Sequence, residues 1–92
     1  MYKIHNYSYK QAKKLGVVIM PSTKKNKKID VYDKLNNYIC SIGDIRYSDY
    51  PTYIESNDLE YANNRRRLYK IRNKNEDNNP NTPGYFAYYI LW

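Results

Sequence analysis

Hydrophobic and polar positions change their spacing several times along this chain, and each spacing predicts a different element. Ser8 precedes YKQAKKLG, where Tyr9, Ala12 and residues 13–15 fit a short helix with Ser8 as N-cap and Gly16 just past its end. VVIM, closed by Pro21, is a β-branched run that predicts a strand. KIDVYD then alternates Ile29 and Val31 against Asp30 and Tyr32, and YICSIGD continues after the turn-like Lys34-Leu35-Asn36-Asn37, so the pair predicts a β-hairpin. On the second strand Tyr38, Cys40 and Ile42 share one face and Ile39, Ser41 and Gly43 the other, which makes Cys40 a packing residue. Asp49 and Pro51 in SDYPTYIES predict a helical turn with Pro51 near its first position. A longer helix follows over residues 58–75, then the breaker-rich loop NEDNNPNTPG. Thr82 and Pro83 start a short C-terminal helix through GYFAYYILW, with an extended segment as the alternative. The expected fold is α+β: a small antiparallel sheet built on the hairpin of residues 28–44, packed with a short N-terminal helix, the longer helix and the C-terminal aromatic segment.

The stretch YANNRRRLYKIRNKN places three consecutive arginines on the long helix. An advance of about 100° per residue separates them. Tyr61, Ala62, Leu68 and Tyr69 fall on one side, with Arg65 and Arg72 between them, near the middle of the apolar stripe. Arg66 sits at the flank, and Arg67, Lys70 and Lys74 fall on the opposite side with Asn63. Arg65 and Arg72 are therefore expected to be structural, with stems along tyrosine rings and guanidinium groups on Asp44, Asp49 or the carboxylate after Trp92, because an unpaired buried charge is costly. The rival reading points both into an open groove that holds a ligand's phosphates, and requires an uncovered stripe. Arg67, Lys70 and Lys74 form a ridge that can track a nucleic-acid backbone, or else are an ordinary solvated face. Lys24, Lys25, Lys27 and Lys28 make a second cluster, and Lys10, Lys13 and Lys14 a third. Tyr32 and Tyr38 are placed to stack on unpaired bases, although without an RNP-like motif packing against the helices is the expected role.

Charge strengthens the polyanion reading. The 92 residues carry 16 basic against 9 acidic side chains, a formal net charge of +7, which favours anionic partners. Lysine, asparagine, tyrosine and isoleucine are also what an A·T-rich coding sequence supplies, so composition alone accounts for part of that charge. The length suits one domain spanning residues 1–92 with one modest core. Thirteen tyrosines contribute to a hydrophobic fraction of 41%, so that core is expected to be polar at its edges. The lone Cys40 has no disulfide partner within the chain, which suits a reducing compartment. MYKIHNYSYKQ lacks the apolar run of a signal peptide, and YFAYYILW, eight residues long, falls short of the roughly 20 a membrane helix needs. The chain is expected to be soluble, with no membrane partner.

Catalysis is not expected. His5 is the only histidine, too few for a Cys/His zinc site and poorly placed for a Ser-His-Asp arrangement. Gly16, Gly43 and Gly84 are scattered and form no phosphate-cradling loop. Asp30, Asp33, Asp44 and Asp49 match no nuclease metal spacing, so neither a metal nor another cofactor is expected.

Three blocks, GDIRYSDYPTYIE, YANNRRRLYKIRNKN and GYFAYYILW, in this order and spacing, resemble a family of small basic proteins encoded by large double-stranded DNA viruses, such as the algal viruses and mimivirus relatives. The similarity runs from Tyr2 to Trp92. Where the family usually carries glycine this chain has Asn36-Asn37 and Asn57-Asp58, and Asn73 stands where a histidine often follows the arginine. The family brings no activity to transfer. The resemblance implies a viral product of the host cytoplasm or nucleus, with the virion as a further location. The leading expectation is non-enzymatic, sequence-tolerant binding of nucleic acid through Arg67, Lys70, Lys74 and the lysines of residues 24–28. The alternative is a minor capsid or virion assembly protein, whose charges meet acidic faces of neighbouring subunits while GYFAYYILW or the exposed tyrosines form the interface. A third reading is an inhibitor of a host defence protein.

Overall fold

The computed structural model describes residues 1–92. Helix α1 spans Asn6–Leu15 and stops where Gly16 turns into the left-handed region at φ 74°, its N–H returning to the last carbonyls of the helix. His5, not Ser8, holds the N-cap position. Ser8 lies inside the first turn, where its buried hydroxyl donates to the Ile90 carbonyl at 2.8 Å and ties the first helix to the last.

Three strands, β1 (Val18–Pro21), β2 (Lys27–Tyr32) and β3 (Tyr38–Asp44), form an antiparallel sheet in the order β1-β2-β3. The hairpin joining β2 to β3 is built by Asp33, whose carboxylate accepts N–H groups from Leu35 and Asn37, while Asn36 takes the left-handed position at φ 65°. The register pairs Val31 with Cys40 but Tyr32 with Tyr38, leaving Ile39 as an extra residue. This irregularity corrects the expected faces. Cys40 and Ile42 point into the core with Ile39 packed beside them, whereas Tyr38 turns outward, and its hydroxyl bonds Ser41 at 2.7 Å. Tyr32 and Tyr38 pack edge-on against each other, 5.9 Å between centroids, rather than against the helices.

Gly43 near the end of β3 also sits at positive φ, 77°. An added Cβ would lie 2.8 Å from Leu91 Cδ1 and 2.9 Å from Lys28 Cδ. Gly43→Ala is therefore expected to cost about 2 kcal/mol or more, from backbone strain and overpacking together. A urea unfolding midpoint matching that of the wild type would show that neither strain nor crowding operates there.

Four helices surround the sheet. Helix α2 (Tyr50–Ser56) is capped by Asp49, which accepts the Thr52 N–H at 3.0 Å, with Pro51 in the first turn. Helix α3 (Leu59–Arg72) is capped by Asp58, and a 3-10 turn follows at Glu76–Asn78. Helix α4 (Pro83–Ile90) starts from Thr82, whose hydroxyl accepts the Tyr85 N–H. GYFAYYILW is thus helical, and it is core rather than a donated interface. Phe86, Ile90 and Leu91 are buried with Ile19, Ile29, Val31, Cys40 and Ile42 of the sheet and with Ile4 and Ala12. Full burial of each large apolar side chain contributes roughly 1.5 to 3 kcal/mol.

Helix α3 behaves differently. It packs against α2, buries only Ala62 completely, and leaves Tyr61 44% exposed and Arg72 at the surface. The stripe that was expected to close over the core remains partly uncovered. No helix is long and apolar enough to cross a membrane.

Candidate nucleic-acid interface

The gap between α3 and the body of the domain is a groove of about 630 Å³. Arg65, Tyr69 and Arg72 recur along α3 at intervals of four and three, so all three line the same side. The opposite wall comes from the end of β3 at Gly43 and Asp44, from Tyr47 and Ser48 in the following connection, and from Leu91 and Trp92. Aromatic packing bridges the two walls. Trp92 stacks on Tyr69 with centroids 4.4 Å apart and planes 7° off parallel, and Tyr53 of α2 leans on Trp92 at 6.1 Å. Tyr53 in turn meets Tyr61 edge-on at 5.4 Å.

Within this frame the two arginines do not find the carboxylates expected for them. The Arg65 guanidinium lies 5.7 Å from the Tyr53 ring centroid, as a stem laid along tyrosine predicts, but its Nε is buried without a hydrogen-bond partner. Arg72 is exposed at the groove and enters no ion pair. The expected partners are occupied elsewhere. Asp44 is held by Arg46 at 2.6 Å, whose hydrogen bonds bring its carboxyl down to about 2. Asp49 is held by Lys28 at 2.7 Å. Burial works to raise the Asp49 carboxyl, yet Lys28, the Tyr2 hydroxyl and the Thr52 N–H outweigh it and keep it below the ordinary carboxylate range. Neither Asp44 nor Asp49 therefore counters the groove arginines, and the partly uncovered stripe is the condition the rival reading of them required.

No protein-family model, curated protein or solved structure matches this chain. The viral likeness rests on its three sequence blocks alone, and the site has to be read from its own chemistry.

The other predicted cations separate into free and committed groups. Arg67 is exposed and donates to Asn64 Oδ1 at 2.9 Å, and Lys74 is exposed past the helix end. Lys70 does not belong to their ridge. Its ammonium sits half-buried, 4.1 Å from the Tyr88 ring centroid on α4, and burial, then Arg66, lowers its pKa. In the second cluster, Lys25 and Lys27 are exposed, while Lys24 lies 4.0 Å over the Tyr38 ring. Lys28 is the clearest correction: its side chain is 4% exposed and serves the Asp49 pair, so it is unavailable to a phosphate. Lys27 pairs with Asp44 across the β2–β3 register, but with Lys24 it lines a separate surface hollow beside Met1, Tyr2 and Ile45, not the groove. Sequence reasoning left out Tyr47, Tyr53 and Trp92 as groove residues. The only signal was the tyrosine recurrence at 47, 50 and 53 ahead of the long helix.

Proposed function

We propose that this chain is a non-enzymatic, sequence-tolerant nucleic-acid-binding protein that holds phosphates in the groove through Arg65 and Arg72. One observation carries the reading: two guanidinium groups without carboxylate partners share an open aromatic groove, while Asp44, the carboxylate lining it, is neutralised by Arg46. Lys25, Lys27, Arg67 and Lys74 are exposed and add to the positive field of the surface outside the groove. Phosphate contacts position a nucleic acid without reading its sequence, so specificity is expected to be weak. The non-enzymatic half of the proposal rests on how the titratable groups are spent. Asp49 serves Lys28, Asp30 accepts from Ser41 at 2.6 Å, and His5 faces Glu55 and Thr52. The particle-assembly reading loses most of the GYFAYYILW surface to the core and keeps the charges and the exposed tyrosines, Tyr9, Tyr38, Tyr47 and Tyr61.

Fluorescence anisotropy across a salt series tests the proposal. Wild type should bind labelled DNA at low salt and release it steeply as salt rises. Arg65→Gln/Arg72→Gln should weaken binding and flatten the log–log salt slope by about 1.5, the share of two phosphate contacts. The same change at Arg67 and Lys74 should do less. Far-UV circular dichroism should be unchanged, because neither groove arginine has an ion-pair partner to lose. Identical binding by wild type and the Arg65/Arg72 variant would sink the groove assignment.

A further inference from the structure

Resting on that reading, we infer that the groove takes a short unpaired stretch of about three nucleotides, with one base stacked on Tyr47 and phosphates on either side of it held by Arg65 and Arg72, so that the ligand is single-stranded nucleic acid rather than duplex.

Three features of the groove select this ligand. Its size comes first: about 630 Å³ falls within the range of roughly 300–1,000 Å³ that encloses small ligands, and a duplex is far too wide to enter. Ring availability comes second. Trp92 already stacks on Tyr69 with Tyr53 leaning on it, and is only partly exposed, so it offers less free ring surface to a base. Tyr47 is 71% exposed on a segment between β3 and α2 and lines the same groove. An exposed ring beside cations is how single-strand binders stack bases without reading them. In a duplex the bases are already stacked on one another and give Tyr47 nothing to hold.

The third feature is the spacing and depth of the cations. Arg65 and Arg72 are seven residues apart, which is about 10 Å along the helix axis at 1.5 Å per residue. A stacked strand rises about 3.4 Å per nucleotide, so that axial span matches about three nucleotide steps and leaves room for a base between the phosphates that the two arginines would hold. Arg72 is at the surface, but Arg65 holds its unpartnered Nε–H at a buried position. A phosphate on a flexible strand can enter the groove as far as the part of Arg65 that remains exposed, short of the enclosed Nε. One fixed on the rigid rim of a duplex meets only Arg72 and the outer lysines.

The test compares oligothymidylate with a duplex of equal length by anisotropy at one low salt concentration, using wild type, Tyr47→Leu and Tyr47→Phe. Wild type is expected to bind the single strand at least about tenfold more tightly. Loss of one stacked base, worth roughly 1–3 kcal/mol, should weaken single-strand binding by about 5- to 150-fold in Tyr47→Leu and leave duplex binding unchanged. Tyr47→Phe should retain the wild-type preference. Equal affinity for both forms, or single-strand binding indifferent to Tyr47→Leu, would overturn the single-strand inference while leaving the nucleic-acid reading in place. Failure to bind either form would remove both.

Discussion

Lys28→Met lowers the unfolding free energy by about 3–5 kcal/mol, the cost of stripping one partner from a buried ion pair. The Lys28 and Asp49 side chains are 4% and 1% exposed and meet at 2.7 Å. Asp49 also accepts the Tyr2 hydroxyl at 2.7 Å and the Thr52 N–H at 3.0 Å, so its charge is fixed between the first residues of the chain, β2 and the start of α2. Without Lys28 a buried carboxylate keeps two hydrogen-bond donors and loses its counterion. Lys28→Met/Asp49→Asn should recover part of the loss, because no unpaired charge then remains. Chemical denaturation of the three proteins measures this directly. A cost under about 1 kcal/mol for Lys28→Met would mean that the pair is not desolvated.

Acidification separates the same proteins by sign. The Asp49 carboxyl is held below its ordinary value of 3.8 in the folded wild type. Its stabilising contribution is therefore complete above that value and is lost as pH falls through the lower, folded one. In Lys28→Met the opposing influence of burial, the largest single effect on this group, loses its main counterweight. The carboxyl then rises, and the variant should gain stability on mild acidification, where the wild type gains none.

Deletion of Leu91–Trp92 should unfold the domain outright. Leu91 is 2% exposed within the core, its carbonyl accepts the Tyr50 N–H at 3.0 Å, and Trp92 stacks on Tyr69. Losing a buried leucine costs about 2–5 kcal/mol and a large aromatic about 3–5, against a total of about 5–15 for a typical domain. Near-ultraviolet circular dichroism should lose its aromatic signal. A truncated chain that still unfolds cooperatively would show that the last two residues lie outside the core.

Much of this architecture was legible. The turn at Lys34 to Asn37, the Gly16 stop and the start at Thr82 and Pro83 are local signals, each set by a few neighbouring residues, and the expected hairpin and helices occur. What escaped depended on distance or on a single extra residue. Lys28 reads as part of an exposed lysine run, because its partner Asp49 lies 21 positions away. Tyr38 reads as inward, because strict alternation carries no sign that Ile39 is unpaired. For Arg65 and Arg72 the helical projection gave the correct side. It was silent on whether Asp44 and Asp49 were free to meet them, and both had been claimed by other cations.

The bond from Ser8 to the Ile90 carbonyl spans 82 positions, and Gln11 repeats the connection to Tyr89 across 78. The sheet can pair locally as soon as its hairpin has been synthesised. Its inner face, however, has no complete cover until α4 arrives, and α1, which packs on β1, lacks its hydrogen-bond anchors at Tyr89 and Ile90 before then. On a ribosome this domain must wait for almost its last residue, and until that moment Ile19, Ile29 and Val31 are what a chaperone would find.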